Sequence, residues 1–257
     1  MTEILSQAGL DAHYRTFFQQ QTSDFRAANI ARLVVTLLDR NRNVIDLGCG
    51  SCVVTHALLK KGFDVTSCDL SRDMLAMARE FLQSSGFPNP KLHNLDTRGS
   101  AATFPGHFQQ VVCLDVIEHI KDDDAAVRDI AALLAPGGRL VLSVPAIPAL
   151  FGPKDVRVGH YRRYTKQTLL PLLERNGLEI NRTRYWNWLG VPVTWVSLRL
   201  LRREVNESVR RKGRGPLKAS INRLLGFWFR CFENPICPPI GLTLLVVATK
   251  PEKPCDL

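Results

Sequence analysis

The sequence predicts an α/β protein built on a mostly parallel sheet, and three observations predict it. Short apolar runs alternate with stretches of helical periodicity between residues 43 and 144. A Gly-x-Gly bend joins the first run to the first helical stretch, and an acidic residue stands at or after the end of each of the first four runs. Strand–helix alternation of this kind demands right-handed crossovers and therefore parallel pairing. With 257 residues and 45% hydrophobic content, the chain can bury a core without disulfides or metal staples, so wholesale disorder is excluded.

The elements follow in order. Residues 11–40 read as helix, because Phe25, Ile30, Leu33, Val34, Leu37 and Leu38 recur at helical spacing and Ser23 or Asp24 can cap the start. Asn43–Leu47 is the first strand and Cys52–Lys61 its helix; Phe63–Cys68 and Ser71–Ser84 repeat the pattern. Lys91–Leu95 is a third strand and Gln109–Leu114 a fourth. Asp122–Leu134 is a helix whose three leading aspartates complement its dipole. Pro136-Gly137-Gly138 turns into a fifth strand, Arg139–Val144. A helix over Lys166–Asn176 and a strand over Leu178–Arg184 come next. Roughly 55 residues then precede the last apolar strand, Leu242–Thr249, a gap too long for an ordinary loop and read as a helical insertion. The expected organisation is a helical cap (1–40), a core (41–185), a basic Trp-containing insertion (186–240) and a last strand with its tail (241–257).

Charge is unevenly spread. The chain carries a formal +10, yet residues 199–230 hold ten basic side chains against Glu204 and Glu207. That segment accounts for +8, and the remainder is near neutral. The seven cysteines show no repeated spacing and no secretory leader is legible, so a reduced, cytosolic protein is expected. The longest uncharged stretches, Tyr185–Leu198 and Asn234–Thr249, fall short of the roughly 20 apolar residues a spanning helix needs. A peripheral membrane contact stays open. Basic residues with Trp and Leu opposite them are the pattern of an interfacial helix, and residues 186–230 carry it. The competing reading is a packed lid with a solvated basic edge.

The chemistry sits at Asp46-Leu47-Gly48-Cys49-Gly50, between a strand and a helix. The glycines let backbone approach a ligand, and the helix start offers free N–H groups. A dinucleotide fingerprint would need glycine where Val53 stands. Asp46 at the strand end would repel phosphate and suit a cation. S-adenosylmethionine, with an amino group, a sulfonium and no phosphate, fits. Asp69, 23 residues beyond Asp46, is placed for ribose hydroxyls, and Asp96 for the adenine amino group. Three acids, each after a separate strand, are a more specific signal than the glycine pair.

Val-Ile-Asp-Leu-Gly-Cys-Gly (44–50), Cys-Asp-Leu-Ser (68–71), Leu-Asp-Val-Ile-Glu-His-Ile (114–120) and Leu-Ala-Pro-Gly-Gly-Arg-Leu (134–140) resemble the ordered motifs of class I S-adenosylmethionine-dependent methyltransferases. The Val-Ile-Glu-His segment is most similar to the small-molecule branch that includes quinone-biosynthesis enzymes. The resemblance implies a Rossmann-like, seven-stranded, mostly parallel sheet with helices on both faces and a helical insertion before the last strand. It implies Asp46, Gly48, Cys49 and Gly50 around the methionine moiety and Asp69 on ribose. Asp96 and Thr97 would lie near adenine, with Leu70 and Met74 packed on the adenosine and Asp115 at the rim. Cys52 stands where the family often has a third glycine.

Methyl transfer needs alignment, and a base only where the nucleophile is protonated. His119 and His160 are the candidate bases; the alternatives are that His119 only shapes the pocket floor and that His160 only holds its loop. Gly-His-Tyr-Arg-Arg-Tyr-Thr (159–165) resembles a substrate-side wall. Its Tyr161, Arg162, Arg163 and Tyr164, with Tyr14 and Trp186, form the expected substrate set, unless an arginine is simply paired to Asp155. No metal ligands are expected, since Cys49-x-x-Cys52 has no second pair. The expected activity is methylation, preferably on oxygen, of a small anionic or lipid-like molecule by a monomer or homodimer. The rivals are RNA methylation, disfavoured because stacking aromatics do not interleave with the basic residues, and a non-catalytic cofactor-binding scaffold.

Overall fold

The structure, a computed structural model, describes Phe18, Thr22 and residues 24–199 and 216–252. Tyr14 and the basic stretch 200–215 lie outside the described residues. The first helix, α1, is Phe25–Leu37, capped by Asp24, which accepts from the Arg26 amide at 2.8 Å. Four strand–helix units follow: β1 (Val44–Leu47) and α2 (Val53–Leu59), β2 (Val65–Cys68) and α3 (Arg72–Ser84), β3 (Lys91–His93) and α4 (Thr97–Thr103), β4 (Phe108–Leu114) and α5 (Asp123–Leu133). Next come β5 (Leu134–Pro145), α6 (Pro153–Arg157), α7 (Lys166–Glu174) and β6 (Glu179–Trp186). The chain closes with α8 (Gly190–Arg199), α9 (Pro216–Trp228) running into a π-helical turn (Phe229–Glu233), and β7 (Thr243–Thr249).

The seven strands order as β3-β2-β1-β4-β5-β7-β6. Strands β1 to β5 pair in parallel, and β7 runs antiparallel between β5 and β6. Both faces are covered, so the central strands are apolar on each side. Val111 and Cys113 of β4 meet the cluster shared with α5 and α7, while Val112 between them meets α1 and α2. The same alternation runs through β5 and β7.

Two helices escape the sequence reading. Thr97–Thr103 and Pro153–Arg157 are too short for periodicity to register. Strand β5 also begins earlier than expected, because Pro136-Gly137-Gly138 forms an irregularity within it, with the Gly137 amide bonded to the Lys250 carbonyl at 2.9 Å.

The order reverses between β1 and β4, which open a crevice at their carboxyl ends. Behind the far edge, β6 anchors the return of the insertion. Arg184 is buried and donates to the carbonyls of Glu233, Asn234 and Ile236 at 2.6–2.8 Å. Gly241 crosses directly over β6, where a Cβ would overlap the Trp186 carbonyl oxygen. Gly241→Ala should therefore lower stability by about 2 kcal/mol or more, since backbone cannot yield as a side chain does. Urea unfolding checks this, and an unchanged midpoint would show that the strands are not so closely apposed.

Candidate active site

The crevice floor is the turn after β1. Gly48 has φ +65°, and a Cβ there would sit 2.5 Å from Val116 Cγ2, at the end of β4. Only glycine lets these two strand ends approach so closely. The Cys49 amide donates to the Cys68 carbonyl at 3.0 Å, and the Gly50 amide donates to Asp69 Oδ2 at 2.8 Å. Cys52, at φ +56°, occupies a left-handed conformation that suits glycine, consistent with glycine being frequent there in the resembling family.

Asp46 differs from the sequence expectation of an open carboxylate facing a cation. It is buried, and its Oδ2 accepts from the Thr55 hydroxyl at 2.6 Å, which in turn lies 2.8 Å from Ser67 Oγ. Burial raises its pKa to about 7 despite the Thr55 hydrogen bonds. The physical reason is position: Asp46 points into the protein under α2, where it holds the loop rather than lining it.

Asp69 is the acid left at the crevice. It is half-buried, and its Oδ1 accepts from the Ser71 amide at 2.9 Å, while each oxygen keeps capacity for a further donor. Leu70 beside it is 72% exposed, but Met74 is only 5% exposed and packs with Phe18, Cys49 and Cys52 beneath the loop. Met74 thus supports the loop from below instead of offering a face to a ligand. Asn94, which the sequence reading misses, ties β3 to β2 by donating to the Asp69 and Leu70 carbonyls at 3.0 and 2.7 Å. Asp96 is exposed and caps α4, accepting from the Gly99 amide at 2.6 Å, with half-buried Thr97 next to it. Asp115, at φ +54°, is exposed at the end of β4 and accepts from Ser143 Oγ at 2.9 Å.

The opposite wall is the segment after β5. His160 Nδ1 lies 2.9 Å from Asp155 Oδ1, and its ring meets the His119 ring edge-to-face at 4.6 Å. Burial would raise Asp155, but hydrogen bonds from His160 and Arg163 and the Arg163 charge bring it down to about 2. Asp155 Oδ1 accepts from His160 Nδ1 in the tautomer that leaves Nε2 as an acceptor. Glu118 stands behind them, fully buried, with neither carboxylate oxygen hydrogen-bonded and Oε1 3.9 Å from His160 Nε2. Burial and Asp115 push it well above the usual carboxylate range. His119 is pulled down by partial burial and by the neighbouring His160. The ligating atoms of Glu118, His119 and His160 lie within 4.8 Å of one another, close enough to share a metal ion. Sequence spacing does not anticipate this set, because residue 160 lies far along the chain from residues 118 and 119.

Several expected substrate contacts are turned elsewhere. Arg162 pairs with Asp123 at 2.7 Å and donates to the Lys121 carbonyl at 2.6 Å. Arg163 pairs with Asp155 at 2.9 Å and donates to the Ala146 carbonyl at 3.1 Å. Tyr164 is buried, its hydroxyl donating to Asp123 at 2.9 Å. Arg162 and Tyr164 lock the loop onto Asp123 at the start of α5, while Arg163 ties it to α6 and to the end of β5. Tyr161 alone of the four is exposed. Trp186 is 1% exposed, tilted against Phe229 at 4.9 Å, with its indole N–H donating to Asn234 at 2.9 Å. As the last residue of β6 it faces α1 rather than the crevice, and contributes to the core.

A family model described as a methyltransferase domain matches residues 18–183. The chain belongs to this family. The methyltransferase is 31% identical over 153 residues to a ubiquinone biosynthesis O-methyltransferase of Xanthomonas euvesicatoria pv. vesicatoria, covering 53% of this chain and 62% of that protein. It is 36% identical over 110 residues to the protein of the same description from Xanthomonas campestris pv. campestris, covering 42% and 45%. The chain thus spans less than two thirds of these curated relatives. Among solved structures, it resembles a geranyl diphosphate methyltransferase in complex with S-adenosylmethionine (TM-score 0.60, 13% identity, covering 87% of this chain and 85% of that one). It also resembles the [4+2]-cyclase SpnF (TM-score 0.59, 18% identity, covering 88% and 82%). A cyclase among the neighbours shows that the shared fold does not fix the reaction.

The buried Asp46 makes the stability of this methyltransferase pH-dependent. In the folded protein Asp46 stays protonated up to about pH 7, whereas in the unfolded chain it ionises near about pH 4. Its folded pKa is raised, so stability falls as pH rises through that interval, by up to roughly 4 kcal/mol. Asp46→Asn keeps an acceptor for Thr55 and cannot ionise. Its advantage in Tm over the wild type should be absent near about pH 4 and grow toward about pH 7. A pH-independent difference would mean that the carboxyl is not desolvated.

Proposed function

We propose that this methyltransferase uses S-adenosylmethionine to methylate an oxygen of a small, anionic or lipid-like molecule. The observation that carries the reading is Asp69. It is an acid held by the Gly50 and Ser71 amides at the strand-order reversal, with lone pairs left for a diol. The residues present fit the cofactor. Gly48 leaves bare backbone at the crevice, Leu70 offers an exposed apolar surface, and Asp96, Thr97 and Asp115 supply acceptors at neighbouring strand ends. Gly50 and Cys49 would meet the methionine moiety through backbone, with Asp46 fixing their loop from beneath.

When bound, S-adenosylmethionine supplies a methyl carbon already activated by its sulfonium. The protein's part is alignment, exclusion of water and removal of the acceptor's proton. His160 Nε2 is the base in this reading, oriented by Asp155 through Nδ1, and Arg163 holds Asp155 in turn. His119 packs against the His160 ring and limits its rotation. Tyr161 is the exposed side chain left to meet the acceptor. The likeness to ubiquinone biosynthesis O-methyltransferases supports oxygen as the acceptor atom. Residues 186–230 are the part of the chain that would meet an anionic membrane.

Asp69→Ala should weaken cofactor binding by at least about tenfold, since a charge-assisted bond contributes roughly 1.5–3 kcal/mol. Calorimetric titration measures it, and unchanged affinity would remove Asp69 from the site. His160→Ala should lower kcat by about 100-fold or more while leaving cofactor affinity intact. The acceptor is found by screening phenols, carboxylates, amines and polyprenyl compounds for S-adenosylhomocysteine release. Turnover with amines alone would replace O-methylation by N-methylation, and an unchanged kcat in His160→Ala would discard the base.

A further inference from the structure

Membrane contact through an insertion is a statement about composition until a surface can be named, and the fold supplies one. Trp188, Trp228, Phe232 and Phe227 form a continuous ladder. Trp188 and Trp228 lie 5.8 Å apart between ring centroids, Trp228 and Phe232 stack at 4.8 Å, and Phe232 meets Phe227 edge-on at 6.4 Å. Trp228 leans on the core, but the outer rungs do not. Phe227 is 54% exposed, and Leu224, one turn earlier on α9, is 69% exposed. Trp188, Phe232 and Ile236 are exposed as well. The apolar side of α9 therefore looks outward in part, where a packed lid would bury it.

The ladder stands on a firm base. Arg184 grips three carbonyls of the segment 233–236, Trp186 holds Asn234, and Glu233 accepts from the Trp188 amide at 3.0 Å. Phe229, next to Trp228, is buried against Phe25 and Trp186. Charge selects the occupant. Arg223 and Arg230 are exposed beside Phe227, at the spacing that places them on one side of α9 and its π-turn. Among the described residues between 186 and 240 the only acid is Glu233, and it is buried. In sequence, the 200–215 segment holds six basic residues against Glu204 and Glu207. Trp and Phe beside cationic side chains, with no exposed acid among the described residues of the insertion, match a bilayer interface rather than a protein groove.

We propose that the protein docks on an anionic lipid surface through this aromatic ladder, with Leu224 and Ile236 beside it and Arg223 and Arg230 meeting lipid phosphates. The inference rests on the membrane contact proposed for residues 186–230. It also sets which side of the molecule faces the lipid. Helix α8 leaves the ladder at Trp188 and packs on the turn after β5, with Leu198 over Gly152, the residue whose amide donates to Asp155. Helix α8 thereby links the docking surface to the segment that carries Asp155 and His160.

The test is flotation of the full chain with vesicles of phosphatidylcholine mixed with phosphatidylglycerol, against vesicles of phosphatidylcholine alone. No cofactor or acceptor is present, so a failure of methyl transfer leaves the result untouched. The wild type should float with the anionic vesicles only, with a blue-shifted Trp emission. Phe227→Gln combined with Phe232→Gln should lower the partition coefficient by about tenfold or more. Arg223→Gln and Arg230→Gln should each lower it by about fivefold, the value of one interfacial basic residue. All these residues are exposed, and unchanged cofactor binding certifies that the variants are folded. Equal flotation of wild type and variants, or equal binding to both vesicle types, would overturn the proposal. So would a dimer that the double Phe variant dissolves while no vesicle is bound, or capture by RNA but not by anionic vesicles.

Discussion

The Gly50 amide donating to Asp69 is the bond on which the rest of the site depends. It joins the turn after β1 to the end of β2, so two neighbouring βα connections move as one body. In the same turn Gly48, at φ +65°, leaves no room for a Cβ beside Val116. From that junction Asn94 carries the constraint to β3, and Ser143 carries it from Asp115 to β5. A rim of acids is thus fixed by short side chains and by backbone groups of the strand ends, which lose little conformational entropy once the sheet has formed.

Opposite this rim the protein has a wall of another kind. It is built from long side chains rather than from backbone: Arg163 and His160 converge on Asp155, and Arg162 and Tyr164 converge on Asp123. Buried ionic groups need such saturation, because a lone buried charge would be strongly destabilising. Glu118 is the exception, with no hydrogen-bond donor at either oxygen, and burial together with Asp115 pushes it well above the usual carboxylate range. A rigid cofactor-side rim facing a side-chain wall is a sensible division of labour for transfer between a constant donor and a selected acceptor.

The insertion is also more than an ornament on the sheet. Its inner residues, Phe229 and Glu233, are tied to β6, so the exposed ladder has a defined position relative to the crevice. Among the described residues, no helix is long and apolar enough to cross a membrane. The docking proposed for its exposed aromatics is therefore the monotopic mode, in which apolar side chains enter only the headgroup region.

Alternating apolar runs and the Gly-x-Gly turn were enough to read the α/β class, the strand positions and the place of Asp69 at a strand end, because these depend on local periodicity and local backbone geometry. The short helices Thr97–Thr103 and Pro153–Arg157 were not legible, since one or two turns leave no period to detect. The same locality limits the site. That Asp46 turns under α2, that Trp186 and Tyr164 are buried and that both loop arginines are already paired depends on partners far along the chain. The approach of Glu118 and His119 to His160 likewise required the fold, because β4 and β5 lie side by side only in the parallel sheet. Sequence determined which chemical groups stand at the strand ends. Tertiary structure decided which of them are left free to meet a ligand, since a side chain's availability is set by the neighbours that neutralise or bury it.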